Sequence, residues 1–339
     1  MKKFIIRSIH FAMAPILAVI LMLVIYIVLD PFKIIWHYDR FIENNAKAYI
    51  ALNQDYVSTK TFDNNYQKYR YNSFIFGNSR SIFYQISDWK SHIGQSNSAF
   101  HFDASAEPLY ALHKKIRYID SKNVRIDNAL LIVDYDLLKK IKPNTGSLYE
   151  ISPQLENNKN AVSFHITHFK TFTFPNFFIP VLYFKLTNNV LPFMKSTLDY
   201  RPRSVDPITN ELRFELFEKM ITDGTYYTQE RMKHFYKRGG QQVYSKPALS
   251  SSQKLLLEDI KDIFHKQKTN YKVIISPLYD QEKLNQNDLY YLKQIFGEKN
   301  VFDYSGINKY TRDYTNYYES SHYRPHVARE ILDEVYITE

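Results

Sequence analysis

Two short motifs at opposite ends of the chain contain side chains suited to acyl-transfer chemistry. The motif GNSRS occupies residues 77–81, after the apolar run FIF, and ESSH occupies residues 319–322. A serine on a tight turn after a strand is exposed as a potential nucleophile. A carboxylate three residues before a histidine can orient that imidazole as the base for the serine. The sequence therefore predicts a catalytic triad of Ser79, His322 and Glu319.

Each of these residues also has an ordinary structural explanation. Serines beside Gly and Asn are common in turns, and Glu and His three residues apart often pair on a helix surface. The position of Ser79 after an apolar strand favours the nucleophile, and the amides of Ser79 and Arg80 at a helix start can hold an oxyanion. Pro325 disfavours a helix interior just after His322, so a turn is expected there.

Strand and helix patterns alternate around these motifs. Strands are predicted at residues 72–76, 99–103, 128–133, 272–276 and 301–304, and helices at 108–119, 255–264, 289–296 and 327–335. Short apolar strands that alternate with helices predict an α/β fold, with a mainly parallel sheet covered on both faces. Ser79, Asp134, Ser276 and Ser305 each lie at or just after the carboxyl end of one of these strands. Active sites of parallel sheets are found at the carboxyl ends of the strands.

Composition excludes several function classes. The 339 residues are 45% hydrophobic, which suits one large domain, and the absence of cysteine excludes disulfides and thiolate chemistry. No glycine-rich phosphate loop is present, so no cofactor is predicted. The net charge of +9 lacks a basic run, which argues against nucleic acid and favours an anionic membrane surface or envelope polymer. His165 and His168 have metal-ligand spacing but no third ligand nearby, so no metal site is predicted.

The N-terminus predicts a membrane anchor. Residues 11–29 are 19 uncharged residues, about the length that crosses a ~30 Å hydrocarbon core. The run is too long for a signal-peptide core and lacks a small-x-small cleavage site, which favours an uncleaved signal anchor over a cleaved signal. Three basic residues precede it and place the N-terminus in the cytoplasm: Lys2, Lys3 and Arg7. The predicted parts are a cytoplasmic tail (1–10), a transmembrane segment (11–29), a juxtamembrane linker (30–70) and an extracytoplasmic domain (71–339).

An insertion at residues 140–250 interrupts the α/β pattern. Within it, residues 157–198 contain no Asp or Glu, but carry many aromatic residues and four lysines, Lys159, Lys170, Lys185 and Lys195. Two interpretations remain open, a packed cap over the active site, or a surface for the bilayer or a membrane partner. The apolar part at 172–186 is too short and interrupted for a second span.

The quoted motifs resemble the SGNH (GDSL-like) hydrolase superfamily. Gly77-Asn78-Ser79 is similar to its first block, and Glu319-x-x-His322 to its last, with Glu in place of Asp. FGNSR, ISPL and HYRP are similar to membrane-anchored SGNH-like proteins of bacterial envelopes, to which the D-alanyl transfer proteins of teichoic acid modification are related. The resemblance implies a three-layer α/β/α fold, related to flavodoxin-like folds, at the bacterial cytoplasmic membrane. It also implies an esterase or O-acyltransferase that acts on cell-envelope polysaccharide, with a membrane-bound O-acyltransferase as a partner.

Two blocks depart from the family pattern. The second block supplies a glycine amide to the oxyanion hole, whereas here Ala104 and Ser105 stand at that place. The third block, GxND, is absent, and Asp134-Tyr135-Asp136 follows the third strand instead. The missing asparagine removes one oxyanion donor, a loss that typically costs ~3 kcal/mol. The Ala104 or Ser105 amide and the Asn78 side chain are the expected substitutes. A degenerate accessory protein that binds glycan or docks an acyltransferase, and a purely structural envelope protein, are therefore the alternatives to an enzyme.

Overall fold

The computed structural model of the chain describes the backbone of residues 2–337 and the side chains of residues 11 and 13–336. The helices are α1 (Lys2–Leu29), α2 (Gln54–Tyr69), α3 (Ile86–Ile93), α4 (Leu109–Ser121), α5 (Tyr135–Leu138), α6 (Ala161–Thr173), α7 (Pro175–Thr187), α8 (Glu215–Thr222), α9 (Gln229–Met232), α10 (Ser251–Gln267), α11 (Gln286–Phe296), α12 (Lys309–Arg312) and α13 (Pro325–Ile337). The strands are β1 (Tyr49–Ile50), β2 (Ser73–Gly77), β3 (Ala99–Asp103), β4 (Asn128–Val133), β5 (Leu198–Asp199), β6 (Ser204–Val205), β7 (Leu212–Arg213), β8 (Val243–Tyr244), β9 (Asn270–Ile275), β10 (Glu282–Lys283), β11 (Val301–Asp303), β12 (Tyr317–Glu319) and β13 (His322–Tyr323).

The centre of the fold is a five-stranded parallel sheet. Its strands lie in the order β11-β9-β4-β2-β3, and every neighbouring pair is parallel. Numbered along the chain, this order is 2-1-3-4-5, which is typical of flavodoxin-like doubly wound sheets. The predicted α/β fold with a mainly parallel sheet is confirmed. Gly77 is in register with Asp103 on one side and Ile132 on the other, so these strands end at one edge.

Both faces of the sheet are buried. Because side chains alternate along a strand, Phe74 and Phe76 point to one face and Ile75 to the other. Residues of α2, α4, α10 and α11 cover the first face, and residues of α3 and α13 cover the second. Burial on both faces explains why the strands are continuous apolar runs rather than alternating ones.

The stretch predicted as a linker, residues 30–70, is packed against the rest of the molecule. Asn53 caps α2 by accepting a hydrogen bond from the Tyr56 amide (3.0 Å), and Tyr56 stacks on Phe164 of α6. Phe62 of α2 is fully buried beside the sheet. The many Asn, Tyr and Lys residues of this stretch led sequence analysis to predict a linker. A tyrosine can nevertheless bury its ring and still form a hydrogen bond through its hydroxyl at the edge of a core.

The helix α1 covers the predicted anchor and leaves large apolar side chains exposed, among them Leu21 and Val28. Among the residues with described side chains, no helix has both the length and the hydropathy that a bilayer crossing requires. The side chains of Lys2, Lys3 and Arg7, on which the predicted orientation depends, lie outside the described residues, as do Met1 and residues 338 and 339.

Candidate active site

Gly77 ends β2 at the point where the chain turns toward Ser79. A Cβ atom at Gly77 would lie 2.5 Å from the carbonyl oxygen of Ile132, and the φ angle of Gly77 is +153°. Only glycine allows β2 and β4 to approach this closely. The glycine of the first motif therefore has a steric role, which places the following turn at the carboxyl edge of the sheet.

Hydrogen bonds within residues 78–81 build that turn. The amide and the hydroxyl of Ser81 donate to the carbonyl oxygen of Asn78 (2.9 and 2.8 Å), and the Arg80 amide donates to Asn78 Oδ1 (3.0 Å). Ser81 begins a short 3₁₀ turn, where sequence analysis expected the start of a helix. These bonds leave Ser79 half-buried on a cleft rather than in the core.

The structure brings Ser79, His322 and Glu319 together. The Nε2 atom of His322 lies 3.0 Å from Ser79 Oγ, and its Nδ1 atom is hydrogen-bonded to Glu319 Oε1. Glu319 and His322 are cross-strand partners in the β12–β13 hairpin, so they lie on a turn and not on a helix. The other carboxylate oxygen of Glu319 accepts the Ser321 amide (2.7 Å).

This geometry sets the protonation of the triad. Burial opposes ionisation of Glu319, but the hydrogen bond and the electrostatic attraction of His322, with the Ser321 amide, hold the pKa of Glu319 below its usual value. The ionised carboxylate accepts a hydrogen bond from Nδ1–H, so Nε2 carries no proton and is available to accept one from Ser79. The Phe83 ring packs against the His322 ring, with 5.7 Å between centroids, and restricts its orientation.

Three of the predicted oxyanion donors are engaged elsewhere. Asn78 Nδ2 donates to Asp134 Oδ2 (2.6 Å), and the Arg80 amide already bonds Asn78. The Ala104 amide donates to the carbonyl oxygen of Gly77 (3.3 Å), because it continues the pairing of β2 and β3. Asn78 was expected to replace the missing asparagine, but its side chain instead has a structural role in the turn.

Of the predicted oxyanion donors, two amides remain without an acceptor. Among the described residues, the amides of Ser79 and Ser105 have no hydrogen-bond acceptor, and both residues line the cleft. Ser105 belongs to the loop between β3 and α4, which lies beside β2 at the same edge of the sheet. Backbone amides of this kind are suitable donors to a developing negative charge.

Asp134 joins the parts of the site, a role that sequence analysis did not assign. Its Oδ2 accepts Asn78 Nδ2 and also Arg80 Nη1 (2.7 Å), while its Oδ1 caps α5 by accepting the Leu137 amide (2.9 Å). Arg80 Nε then reaches the carbonyl oxygen of Ser321 (3.4 Å) in the hairpin turn. The signal available in the sequence was the position of Asp134 at the end of β4.

A cleft of about 860 Å³ opens over the triad. The loop after β3 forms part of its wall, and residues 199–234 of the insertion form much of the remainder. None of the described residues 157–198 lines the cleft. The cap predicted for the insertion is therefore supplied by its later half, and the acid-free stretch lies elsewhere.

Arginine and aromatic side chains line the cap side of the cleft. Arg201 and Arg203 both pair with Asp199, at 2.8 and 2.5 Å, and hold the pKa of that carboxyl, which burial alone would raise, well below its usual range. The guanidinium of Arg231 lies 4.0 Å from the centre of the Tyr226 ring. Sequence analysis missed these residues, because isolated arginines in an irregular insertion carry no motif.

His165 and His168, the pair with metal-ligand spacing, lie on α6 away from the cleft. His168 is buried with its ring against Phe32 and Phe164, and burial lowers its pKa to about 4. The part of the chain that the structure describes contains no cluster of three ligating side chains. The buried imidazole therefore has a packing role.

No protein-family model matches the sequence, and no curated protein sequence matches it significantly. A doubly wound α/β sheet supports many unrelated activities, so the fold alone does not decide the function. The function must therefore be argued from the arrangement of side chains at the carboxyl edge of the sheet.

Proposed function

We propose that this protein is a serine esterase or O-acyltransferase of the SGNH type, with a three-layer α/β/α domain. The observation that carries the proposal is the relay from Glu319 through His322 to Ser79, with 3.0 Å between Nε2 and Oγ. These residues come from motifs 243 positions apart in sequence. A serine that contacts a histidine whose other nitrogen is bound to a carboxylate is the arrangement that activates a hydroxyl nucleophile.

The residues would divide the chemistry as follows. His322 Nε2 takes the proton of Ser79 as Oγ attacks the acyl carbonyl carbon, and the Ser79 and Ser105 amides donate to the oxyanion. His322 then gives its proton to the departing alcohol oxygen, which leaves an acyl-serine. In the second half, water or a sugar hydroxyl loses a proton to His322 and attacks the acyl-serine. The bond between Ser79 Oγ and the acyl carbon then breaks, and Oγ takes the proton from His322.

The cleft favours a carbohydrate substrate. Aromatic rings and arginines line its cap side, and an open cleft of about 860 Å³ has room for a segment of polymer as well as an acyl group. Rings suit the apolar faces of sugars, and guanidinium groups suit carboxylate or phosphate substituents. We infer that the substrate is a cell-envelope polysaccharide, in line with the net charge of +9.

We also propose that α1 anchors the protein in the bacterial cytoplasmic membrane, with the catalytic domain on the outer side. Support comes from the 19 uncharged residues at 11–29, the basic residues before them and the exposed apolar side chains of the helix. An anchored transferase of this kind would take its acyl group from a membrane-bound O-acyltransferase.

The deciding experiment is intact-mass analysis of the full chain in detergent after treatment with a fluorophosphonate. We expect one adduct, which is lost in Ser79→Ala and His322→Ala and kept in the control Ser91→Ala, an exposed serine outside the cleft. An adduct that survives in Ser79→Ala would exclude Ser79 as the nucleophile.

A second candidate function is a catalytically degenerate accessory protein. It is favoured by the side chain of Asn78, which already donates to Asp134 and so is not available to an oxyanion. Of the predicted donors, the amides of Ser79 and Ser105 are left. A folded protein that gains no adduct but binds envelope glycan would support this role. A purely structural protein would show neither labelling nor glycan binding.

A further inference from the structure

The helices α6 and α7 form a hairpin that packs on the end of α1. The Tyr26 ring, in the last turn of α1, lies 5.4 Å from the Phe169 ring and 5.2 Å from the Phe172 ring. Just beyond α1, Phe32 stacks on Phe177 of α7 with 5.0 Å between ring centres. Aromatic contacts on both helices therefore fix the hairpin to the base of α1.

The outer surface of this hairpin is apolar. Its exposed large side chains, together with one from the 3₁₀ turn that follows, are Val162, Ile166, Phe174, Ile179, Leu186 and Phe193. Apart from the Tyr183 hydroxyl, polar side chains in α7 are limited to Asn176, Lys185 and Thr187. A helix that is apolar on nearly all sides is normally buried, yet Ile179 is 54% and Leu186 72% exposed. A surface of this kind indicates an interaction partner.

The charge pattern of the hairpin and of the residues that flank it indicates which partner. Residues 157–198 carry four exposed lysines, Lys159, Lys170, Lys185 and Lys195, and no acidic residue. Lysines that alternate with aromatic and aliphatic side chains are typical of helices that lie in the headgroup region of anionic bilayers. A protein partner would more commonly be matched by charges of both signs.

The depth of the hairpin follows from its contact with α1. Tyr26 stands three residues before the end of α1, which is about 4.5 Å along the helix axis. If α1 crosses the bilayer, its last turn lies at the outer interface. Phe172 touches Tyr26, and Phe174 forms the corner between α6 and α7 two residues later. Phe174 therefore lies at headgroup depth.

We propose that the α6–α7 hairpin is a second membrane contact, seated in the outer headgroup region of an anionic lipid bilayer. The inference rests on the proposed anchoring by α1. Phe174 and Ile179 insert beside the lipid chains, while the four lysines meet lipid phosphates. Since none of the described residues 157–198 lines the cleft, this contact leaves the active site open.

The lack of native cysteine makes single-site labelling direct. The full chain, as Phe174→Cys or Ile179→Cys with an environment-sensitive fluorophore, would be reconstituted in phosphatidylcholine–phosphatidylglycerol vesicles containing spin-labelled lipid. Leu21→Cys serves as the lipid reference, and Tyr290→Cys, an exposed site on α11, as the aqueous control. We expect the two hairpin labels to be quenched severalfold more than the Tyr290 label.

A matched variant tests the charge. Replacement of the four lysines by glutamine should remove most of the difference in hairpin quenching between anionic and neutral vesicles. Quenching at Leu21 without quenching at Phe174 or Ile179 would overturn the inference and leave the anchor intact, whereas no quenching at Leu21 would overturn both. Lipid contact that requires an added membrane protein would also contradict it. Fluorophosphonate labelling of the same samples reports on the catalytic proposal separately.

Discussion

Glu319 and His322 are cross-strand partners in the β12–β13 hairpin, so a spacing of three residues becomes a direct side-chain hydrogen bond. On a helix, the same spacing would give a solvated surface pair of small energetic value. The hairpin also directs the second nitrogen of His322 at Ser79, which lies 243 positions away in the sequence. The turn between two short strands thus determines whether this Glu–His pair can support chemistry.

Glu319→Gln tests the role of the carboxylate charge. Glutamine keeps the shape but cannot stabilise an imidazolium, and its amide can select the wrong tautomer of His322. We expect kcat for an activated ester to fall by roughly 10³–10⁴-fold, with little change in melting temperature. Fluorophosphonate labelling should slow in parallel. Unchanged kinetics would show that the pair is only structural.

Asp134→Asn tests the residue that joins the Ser79 turn to β4. The Asp134 side chain is 1% exposed, and its replacement leaves the Arg80 guanidinium without its main partner. Loss of one member of a buried pair costs roughly 3–5 kcal/mol of unfolding free energy. We expect a lower melting temperature and slower labelling of Ser79.

Asp136→Asn is the matched control for that change. Asp136 lies 3.8 Å from Arg80 Nη2 and is 50% exposed, so its loss should cost less than about 1 kcal/mol. Equal destabilisation by the two variants, measured by thermal unfolding in detergent, would contradict the central position of Asp134.

The sheet was the most predictable part of the fold. Strands that are buried on both faces must be apolar throughout, so β3 and β4 were predicted at their observed bounds, 99–103 and 128–133. Residues 30–70 were not recognised as packed, because tyrosines and polar caps give no clear period. Ser79, His322 and Glu319 could be predicted because each lies in a recognisable local motif.

The oxyanion donors were harder to predict for a physical reason. Whether an amide is free depends on its neighbours in space, and those neighbours come from other strands. The Ala104 amide is taken by Gly77, and Asn78 by Asp134, across pairings that the sequence does not display. The same limit applies to the cap, whose arginines come together only after the irregular insertion has folded over the sheet edge.

Gly77→Ala should disrupt both stability and labelling. The added Cβ would lie 2.5 Å from the Ile132 carbonyl oxygen and 2.9 Å from Ser81 Cβ, so β2 and β4 would have to separate. Overpacking of this kind typically costs about 1–3 kcal/mol. Gly239→Ala is the control, since nothing lies within 4 Å of its added Cβ. Similar melting temperatures for the two variants would contradict this steric role of Gly77.

Glu107→Gln should flatten the pH dependence of stability. Glu107 and Lys115 are fully buried, with 2.8 Å between Oε1 and Nζ, and Asp55 shares the same ammonium at 3.6 Å. Burial raises the pKa of Glu107 to about 8, although Lys115 opposes the shift. The unfolded carboxyl titrates near pH ~4.3. Between these values the folded chain binds more protons, so its stability falls as pH rises.

Melting temperatures at pH 6 and pH 8.5 check this sign. The stability of the native chain relative to Glu107→Gln should be greater at pH 6 and should decline by pH 8.5. Glu298→Gln, at a carboxylate that is 83% exposed, should follow the native curve. Parallel curves for the native chain and Glu107→Gln would exclude a raised pKa at this site.

Arg231→Met tests whether the cap recognises an anionic polymer. Arg231 lines the cleft and lies over the Tyr226 ring, and among the described residues no carboxylate pairs with it, so its charge is available to a substrate. A hydrogen bond to a charged group contributes about 1.5–3 kcal/mol, or roughly ten- to a hundredfold in affinity. KM for an acylated anionic polysaccharide should rise by that factor, with kcat nearly unchanged. A small neutral ester should be hydrolysed normally, because it does not reach the cap.

Lys233→Met, at a neighbouring exposed cation that does not line the cleft, should leave the kinetics with both substrates unaffected. If the two variants shift KM equally, the effect comes from overall charge and not from a site at Arg231.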